Sequence, residues 1–86
     1  MSYSVRIKRS AAKELARIPH RDRRRIVNAI DRLGEQPLAG RPLQGELRGL
    51  RRVRVGDYRI VYEVIDDSLV VLVVRVAHRR EVYRQR

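Results

Sequence analysis

The stretch 51–63, RRVRVGDYRIVYE, constrains the fold more than any other, because polar and apolar residues alternate on both sides of a Gly-Asp pair. Alternation with a period of two is typical of a β-strand with one buried face, and it predicts strands at 51–55 and 58–64. Glycine at the first loop position suits a two-residue type II′ turn, in which that residue has a positive φ angle. The segment therefore predicts a β-hairpin that turns at Gly56 and Asp57.

This turn fixes the register of the hairpin, placing Val55 opposite Tyr58 and Arg54 opposite Arg59. Arg52 lies two residues further along the face that carries the other two arginines. Like charges directly opposite each other weaken a sheet, so local stability does not explain the arrangement. A polyanion that bridges the arginines would explain it, and this is the first indication of function.

The length of 86 residues predicts one domain, residues 1–86, with a small core built mainly from Val, Ile and Leu. The absence of cysteine excludes disulfides and thiolate metal sites. The longest apolar run, 69–74, is too short to span a bilayer, and the N-terminal residues lack the apolar stretch of a signal peptide. We therefore expect a cytoplasmic protein.

The formal net charge of +11 predicts an anionic partner. Nearly all of the positive charge is arginine, which binds phosphates through paired hydrogen bonds and stacks on bases. Nucleic acid is the first expectation and an acidic protein the second; a membrane surface ranks last and is not expected as a partner. The basic run at 21–25 is more often a solvated helix face than a binding site.

Hydrophobic periodicity and breaker residues predict the remaining elements. They are a strand at 3–7, a helix at 10–18 capped by Ser10 and ended by Pro19, a helix at 21–36, a loop at 37–46, a turn at 66–68 and a strand at 69–77. The predicted class is α+β: an N-terminal strand, a two-helix hairpin and a three-strand antiparallel meander. The helices would pack on one face of a small antiparallel sheet, and the other face would carry Arg52, Arg54 and Arg59, open to solvent.

Three motifs in this order resemble the RelE/ParE superfamily of bacterial and archaeal type II toxins, on the RelE side. They are Leu47-Arg48-Gly49, the run GDYRIVYE at 56–63 and the run VAHRREVY at 76–83. The resemblance covers nearly the whole chain. It implies a RelE-like fold and an endoribonuclease that enters the ribosomal A site, where it meets ribosomal RNA, and cuts mRNA there. It also implies a co-encoded RelB-like antitoxin, acidic and amphipathic, through which alone the toxin would reach operator DNA.

The resemblance carries roles over to individual residues. Arg59 matches the arginine that follows the strand tyrosine and contacts the scissile phosphate. Arg79 matches a catalytic arginine near the end of the last strand, and Tyr83 matches a C-terminal tyrosine proposed as the base. Arg52 and Arg54 fall where relatives often have a basic pair, commonly lysines. Further arginines expected to contact RNA are Arg48, Arg51, Arg75 and Arg80.

RNA can be cut by attack of its own 2′-hydroxyl without a metal ion, and the sequence offers no convincing metal site and no cofactor motif. The arginines would stabilise the charge that develops on the phosphate. Arginine stays protonated, so proton transfer would fall to Tyr83, activated by neighbouring cations, or to His78. His78 can equally be a surface histidine at a strand end. Tyr83 can be an aromatic that docks into an apolar groove, but its position and its match to the family motif favour catalysis.

Two other functions fit the same superfamily. One is a ParE-like protein that inhibits DNA gyrase through protein contacts and has no nuclease site. The other is a catalytically inactive relative that binds RNA. The dense basic face, together with His78 and Tyr83, favours the nuclease.

Overall fold

The computed structural model describes residues 2–78, so the predictions made for Arg79, Arg80 and Tyr83 lie outside the described residues. Within this range the elements follow one another along the chain. They are β1 (Ser4–Ile7), α1 (Arg9–Ala16), α2 (His20–Glu35), β2 (Arg41–Pro42), β3 (Arg51–Val55), β4 (Tyr58–Ile65) and β5 (Val70–His78). Single turns of 3-10 helix lie at Gly45–Leu47 and Asp66–Ser68.

The strands form one sheet in the order β1-β5-β4-β3-β2, and the two helices cover one face of it. The predicted α+β class is confirmed, but two details differ. The sheet is mixed, because β1 pairs with β5 in parallel. The two-residue strand β2 pairs with β3 and forms one edge of the sheet. Proline lacks a backbone N–H, and Pro42 is tolerated there because an edge strand has no further neighbour to which an N–H would donate.

The hairpin has the predicted register, with Val55 opposite Tyr58 and Arg54 opposite Arg59. Gly56 has a φ angle of 58°, whereas Asp57 is not in the left-handed region, as a type II′ turn requires. The predicted cap of the first helix was wrong, since that helix begins one residue before Ser10.

The core lies between the helices and the sheet. Its fully buried members include Ile26 and Ile30 of α2, Ile60 of β4, and Val71 of β5. Burial of each such side chain stabilises the fold by about 1.5–3 kcal/mol relative to exposure. Tyr62 of β4 is also a core residue, because its side chain is 0% exposed.

Strand β5 contains a bulge at Val74, because Tyr62 pairs with Val73 while Val61 pairs with Arg75. Beyond the bulge, β1 no longer covers the edge of β5. Glu14 of α1 takes its place: Oε1 accepts a hydrogen bond of 2.8 Å from the N–H of Val76, and Oε2 accepts one of 3.0 Å from Nε of Arg75.

Candidate phosphate-binding site

An open pocket of about 400 Å³ lies on the sheet face away from the helices. Its charged lining comes from three adjacent strands: Arg41 of β2, Arg52 and Arg54 of β3, and Arg59 of β4. The other lining residues among those described are alanine, glycine and valine. We call these four residues the arginine pocket.

Strand register explains why these side chains meet. Arg54 lies directly opposite Arg59, and Arg52 lies directly opposite Arg41. Directly opposed residues of antiparallel strands point to the same face. The structure therefore brings the predicted Arg52, Arg54 and Arg59 together. It adds Arg41, which sequence reasoning missed because it lies in a segment of glycines and prolines.

The exposure of the four arginines increases from the floor of the pocket to its rim. Arg59 is 8% exposed, Arg52 is half-buried, and Arg41 and Arg54 are exposed. So deep a position is unusual for a charged side chain. A negative charge that reaches the floor is attracted more strongly than one at the surface, because less water screens it there.

A small apolar cluster lies on the same face and flanks the floor of the pocket. Val61 and Ala77 are each 4% exposed, and Leu43, Leu50 and Val74 pack against them. The predicted opening to solvent therefore holds for Arg54, which is exposed, but not for Arg59 at the floor. Leu43 and Leu50, from the segment before β3, cover the apolar cluster beside it.

The segment that carries Arg41 is fixed to the sheet by two side chains. The hydroxyl of Tyr62 accepts a hydrogen bond of 2.9 Å from the N–H of Gly40 and donates one of 2.7 Å to the carbonyl of Pro37. Arg51 donates from Nε to the carbonyl of Gly40, at 3.1 Å, and from Nη2 to the carbonyl of Leu38, at 3.3 Å.

Gly40 is also close to the neighbouring strand. A Cβ atom there would lie 2.6 Å from the carbonyl oxygen of Arg52 and 2.8 Å from the hydroxyl of Tyr62. Only glycine allows this approach, which holds the next residue, Arg41, beside Arg52.

Three of the arginines expected to contact RNA lie outside the pocket. Arg51 is opposite Tyr62, so it is on the helix-covered face, where it binds the loop carbonyls. Arg75 is on the same face as the pocket by register, but it is paired with Glu14. Arg48 is exposed and lines a separate depression of about 350 Å³.

His78 is on the opposite face from Arg59. It pairs with Tyr58, and the two rings pack edge to face with their centroids 5.7 Å apart. The physical reason is the bulge at Val74. In a strand without an extra residue, alternation from Val73 would turn His78 toward the face that carries Arg59.

Within residues 2–78, no three His, Asp or Glu side chains come together in a way that could hold a metal ion. Over the same range, neither helix has the length and hydrophobicity needed to cross a membrane.

Comparison with known proteins identifies the class. A family model described as the ParE toxin of the type II toxin-antitoxin system parDE matches residues 5–83. Toxin RelG of Mycobacterium tuberculosis is 37% identical over 87 residues, which span 99% of this chain and 100% of that protein. Toxin RelE of the same organism is 34% identical over 84 residues, spanning 95% and 87% of the two proteins.

Solved structures agree. The RelBE2 toxin-antitoxin complex of Mycobacterium tuberculosis has a TM-score of 0.86 at 34% identity, covering 92% of this chain and 100% of that one. A mutant of E. coli toxin RelE in the free state has a TM-score of 0.81 at 27% identity, covering 98% and 93%. The fold and these relatives define a toxin of a type II toxin-antitoxin system. The chain belongs to the RelE/ParE superfamily, in its RelE family, and the resemblance of its sequence motifs is thereby confirmed.

Proposed function

We propose that this protein is a ribosome-dependent endoribonuclease that cuts mRNA in the ribosomal A site by metal-independent attack of the 2′-hydroxyl. The observation that carries the proposal is the arginine pocket, in which four guanidinium groups from three adjacent strands share one opening. The ribosomal A site as the place of action is what the resemblance to the RelE family implies, and the similarity to toxins RelG and RelE supports that resemblance. The net charge of +11 supports a partner rich in phosphate.

In this reaction the 2′-oxygen forms a bond to phosphorus while the bond from phosphorus to the 5′-oxygen breaks. The 2′-hydroxyl loses its proton to a base, and the departing 5′-oxygen receives one from an acid. Negative charge accumulates on the phosphate oxygens between these events. Arg59 at the pocket floor, with Arg52 and Arg54 above it, would stabilise that charge.

Arginine cannot exchange protons at neutral pH, so the acid and base must be other groups. Tyr83 is proposed as the base on its match to the family motif. The other group expected to transfer protons, His78, lies beside Tyr58, which puts the sheet between it and the pocket. We therefore assign it no contact with the scissile phosphate.

The test is cleavage of mRNA in a translating extract by wild type, Arg59→Ala and Arg59→Lys. Loss of this charge should reduce the cleavage rate by about 10²–10³-fold. Arg59→Lys should recover only part, because lysine lacks the two-pronged geometry. Arg17→Ala, which removes one exposed charge on the helix side, serves as the matched control. Thermal unfolding of each variant establishes that it is folded. Codon-positioned cutting by folded Arg59→Ala at the wild-type rate would refute the site.

The description of the matching family model favours one alternative, inhibition of DNA gyrase by a ParE-like surface. The two functions separate cleanly in a supercoiling assay with purified gyrase. The nuclease proposal expects unchanged supercoiling and cut mRNA. Inhibited supercoiling together with intact mRNA would establish the alternative.

We further propose a RelB-like antitoxin as partner, as in the RelE-RelB complexes among the structural neighbours. Its chemistry should be acidic and amphipathic. The acidic part would match the charge of +11, and the apolar part would cover exposed side chains such as Leu38 and Leu47. Co-expression with the product of the adjacent open reading frame should give a complex that stays together in high salt and blocks mRNA cleavage. Failure of an acidic neighbouring protein to bind would contradict this assignment.

A further inference from the structure

We propose that the arginine pocket holds two successive backbone phosphates, with Arg41 and Arg52 forming a second subsite for the phosphate next to the scissile one. Arg54 and Arg59 form the first subsite. The inference rests on the proposed nuclease function and extends it, since it assigns a role to Arg41 and to the short edge strand that carries it.

The four arginines form two cross-strand pairs. Arg54 faces Arg59 across β3 and β4, and Arg52 faces Arg41 across β3 and β2. Arg52 and Arg54 are two residues apart on one strand, which separates the pairs by about 7 Å along the strand direction. The pairs also lie on opposite sides of β3, so together they trace a diagonal across three strands. Such a line of cations suits a single-stranded backbone, which a basic groove follows from phosphate to phosphate.

Depth gives the second argument. Arg59 is 8% exposed and lies at the floor of the pocket. The exposed Arg41 is at the rim, one strand beyond Arg52 on the side away from the floor. One phosphate at the floor and the next phosphate of the same backbone at the rim match these two depths.

The third argument is that hydrogen bonds and close backbone packing fix the position of Arg41. The side chains of Tyr62 and Arg51 make four hydrogen bonds with the backbone of residues 37–40, three as donors and one as an acceptor. Gly40 approaches the backbone of β3 so closely that no side chain fits. This fixed segment ends in a two-residue strand whose first residue is Arg41. Pre-organisation of this kind lowers the entropy cost of binding a ligand.

The test uses programmed ribosomes carrying mRNA in which one phosphate is replaced by an uncharged methylphosphonate, on the 5′ or the 3′ side of the scissile position. Wild type and Arg41→Ala are compared on both mRNAs and on all-phosphate mRNA. We expect Arg41→Ala to lower kcat/KM by about tenfold on all-phosphate mRNA, as for loss of a charged hydrogen bond. One of the two methylphosphonates should lower kcat/KM of wild type by a similar factor. The same methylphosphonate should not lower kcat/KM of Arg41→Ala any further.

Arg41→Lys should restore part of the kcat/KM that Arg41→Ala loses. In the control variant Arg17→Ala, each methylphosphonate should lower kcat/KM by the same factor as in wild type. The inference is overturned if Arg41→Ala cleaves like wild type. It is also overturned if each of the two methylphosphonates lowers kcat/KM of Arg41→Ala by the same factor as it lowers that of wild type. Absence of cleavage of all-phosphate mRNA by wild type would instead overturn the nuclease function, and the second subsite with it.

Discussion

Replacement of Tyr62 by phenylalanine tests whether the segment before β2 is held by one buried hydroxyl. The ring fills the core in both cases, so the substitution removes a single oxygen atom from a side chain that is 0% exposed. That oxygen serves two backbone groups, the N–H of Gly40 at 2.9 Å and the carbonyl of Pro37 at 2.7 Å.

The size of the change in the free energy of unfolding depends on the two backbone groups that lose their partner. A buried polar group without a partner costs about 1–3 kcal/mol. Gly40 is buried and bears the full cost, whereas Pro37 is half-buried and can recruit water. We expect Tyr62→Phe to lower the free energy of unfolding by about 2–3 kcal/mol. For a domain of this size that corresponds to a fall in Tm of about 10–20 °C.

The assay is urea unfolding followed by circular dichroism, with Tyr3→Phe as the matched control. Tyr3 also donates its hydroxyl hydrogen, to Asp66 at 2.7 Å, but at an exposed position where water can replace the bond. A much smaller fall in the urea midpoint is expected for the control. Equal midpoints for Tyr62→Phe and Tyr3→Phe would refute the reasoning.

Three further outcomes are expected. Arg54→Gln should raise the free energy of unfolding by about 0.2–1 kcal/mol in urea denaturation, because it relieves the like-charge pair with Arg59, while lowering mRNA cleavage; a loss of stability would count against this. Glu14→Ala should lower the free energy of unfolding by about 1–2 kcal/mol and Glu14→Gln by less, since glutamine retains an acceptor; equal losses in urea would contradict the paired contacts. The hydrogen bond to Asp66 raises the pKa of Tyr3. The contact therefore stabilises the fold at pH values below the pKa of this tyrosine in the unfolded chain, and the stabilisation is lost as pH rises through its pKa in the folded protein. Ultraviolet titration should show a lower pKa for Tyr3 in Asp66→Asn.

The hairpin could be predicted because its information is local. Alternation and one Gly-Asp pair set the register, and the register alone places Arg52, Arg54 and Arg59 on one face. Arg41 could not be found this way. Its strand has only two residues, and its neighbour in the sheet, Arg52, is eleven positions away in the sequence, across a loop with no periodicity.

The faces of β5 were unpredictable for a different reason. The run 69–74 is apolar throughout, so nothing in its pattern reveals the extra residue at Val74. That residue reverses the alternation, and His78 therefore packs on Tyr58. The contacts of Arg51 also depend on distant residues, because its partners are carbonyl groups of the segment at 38–40.

The contact between Glu14 and β5 has a consequence for solubility. Strand β1 pairs with β5 only over Val70–Val73, and within residues 2–78 no other strand pairs with the outer side of β5 beyond that point. Open strand edges are templates on which further chains can add. Here a carboxylate from the helical layer occupies the N–H of Val76 that such a chain would need. One acidic side chain that is not part of any strand thus blocks a position at which this sheet could otherwise add another chain.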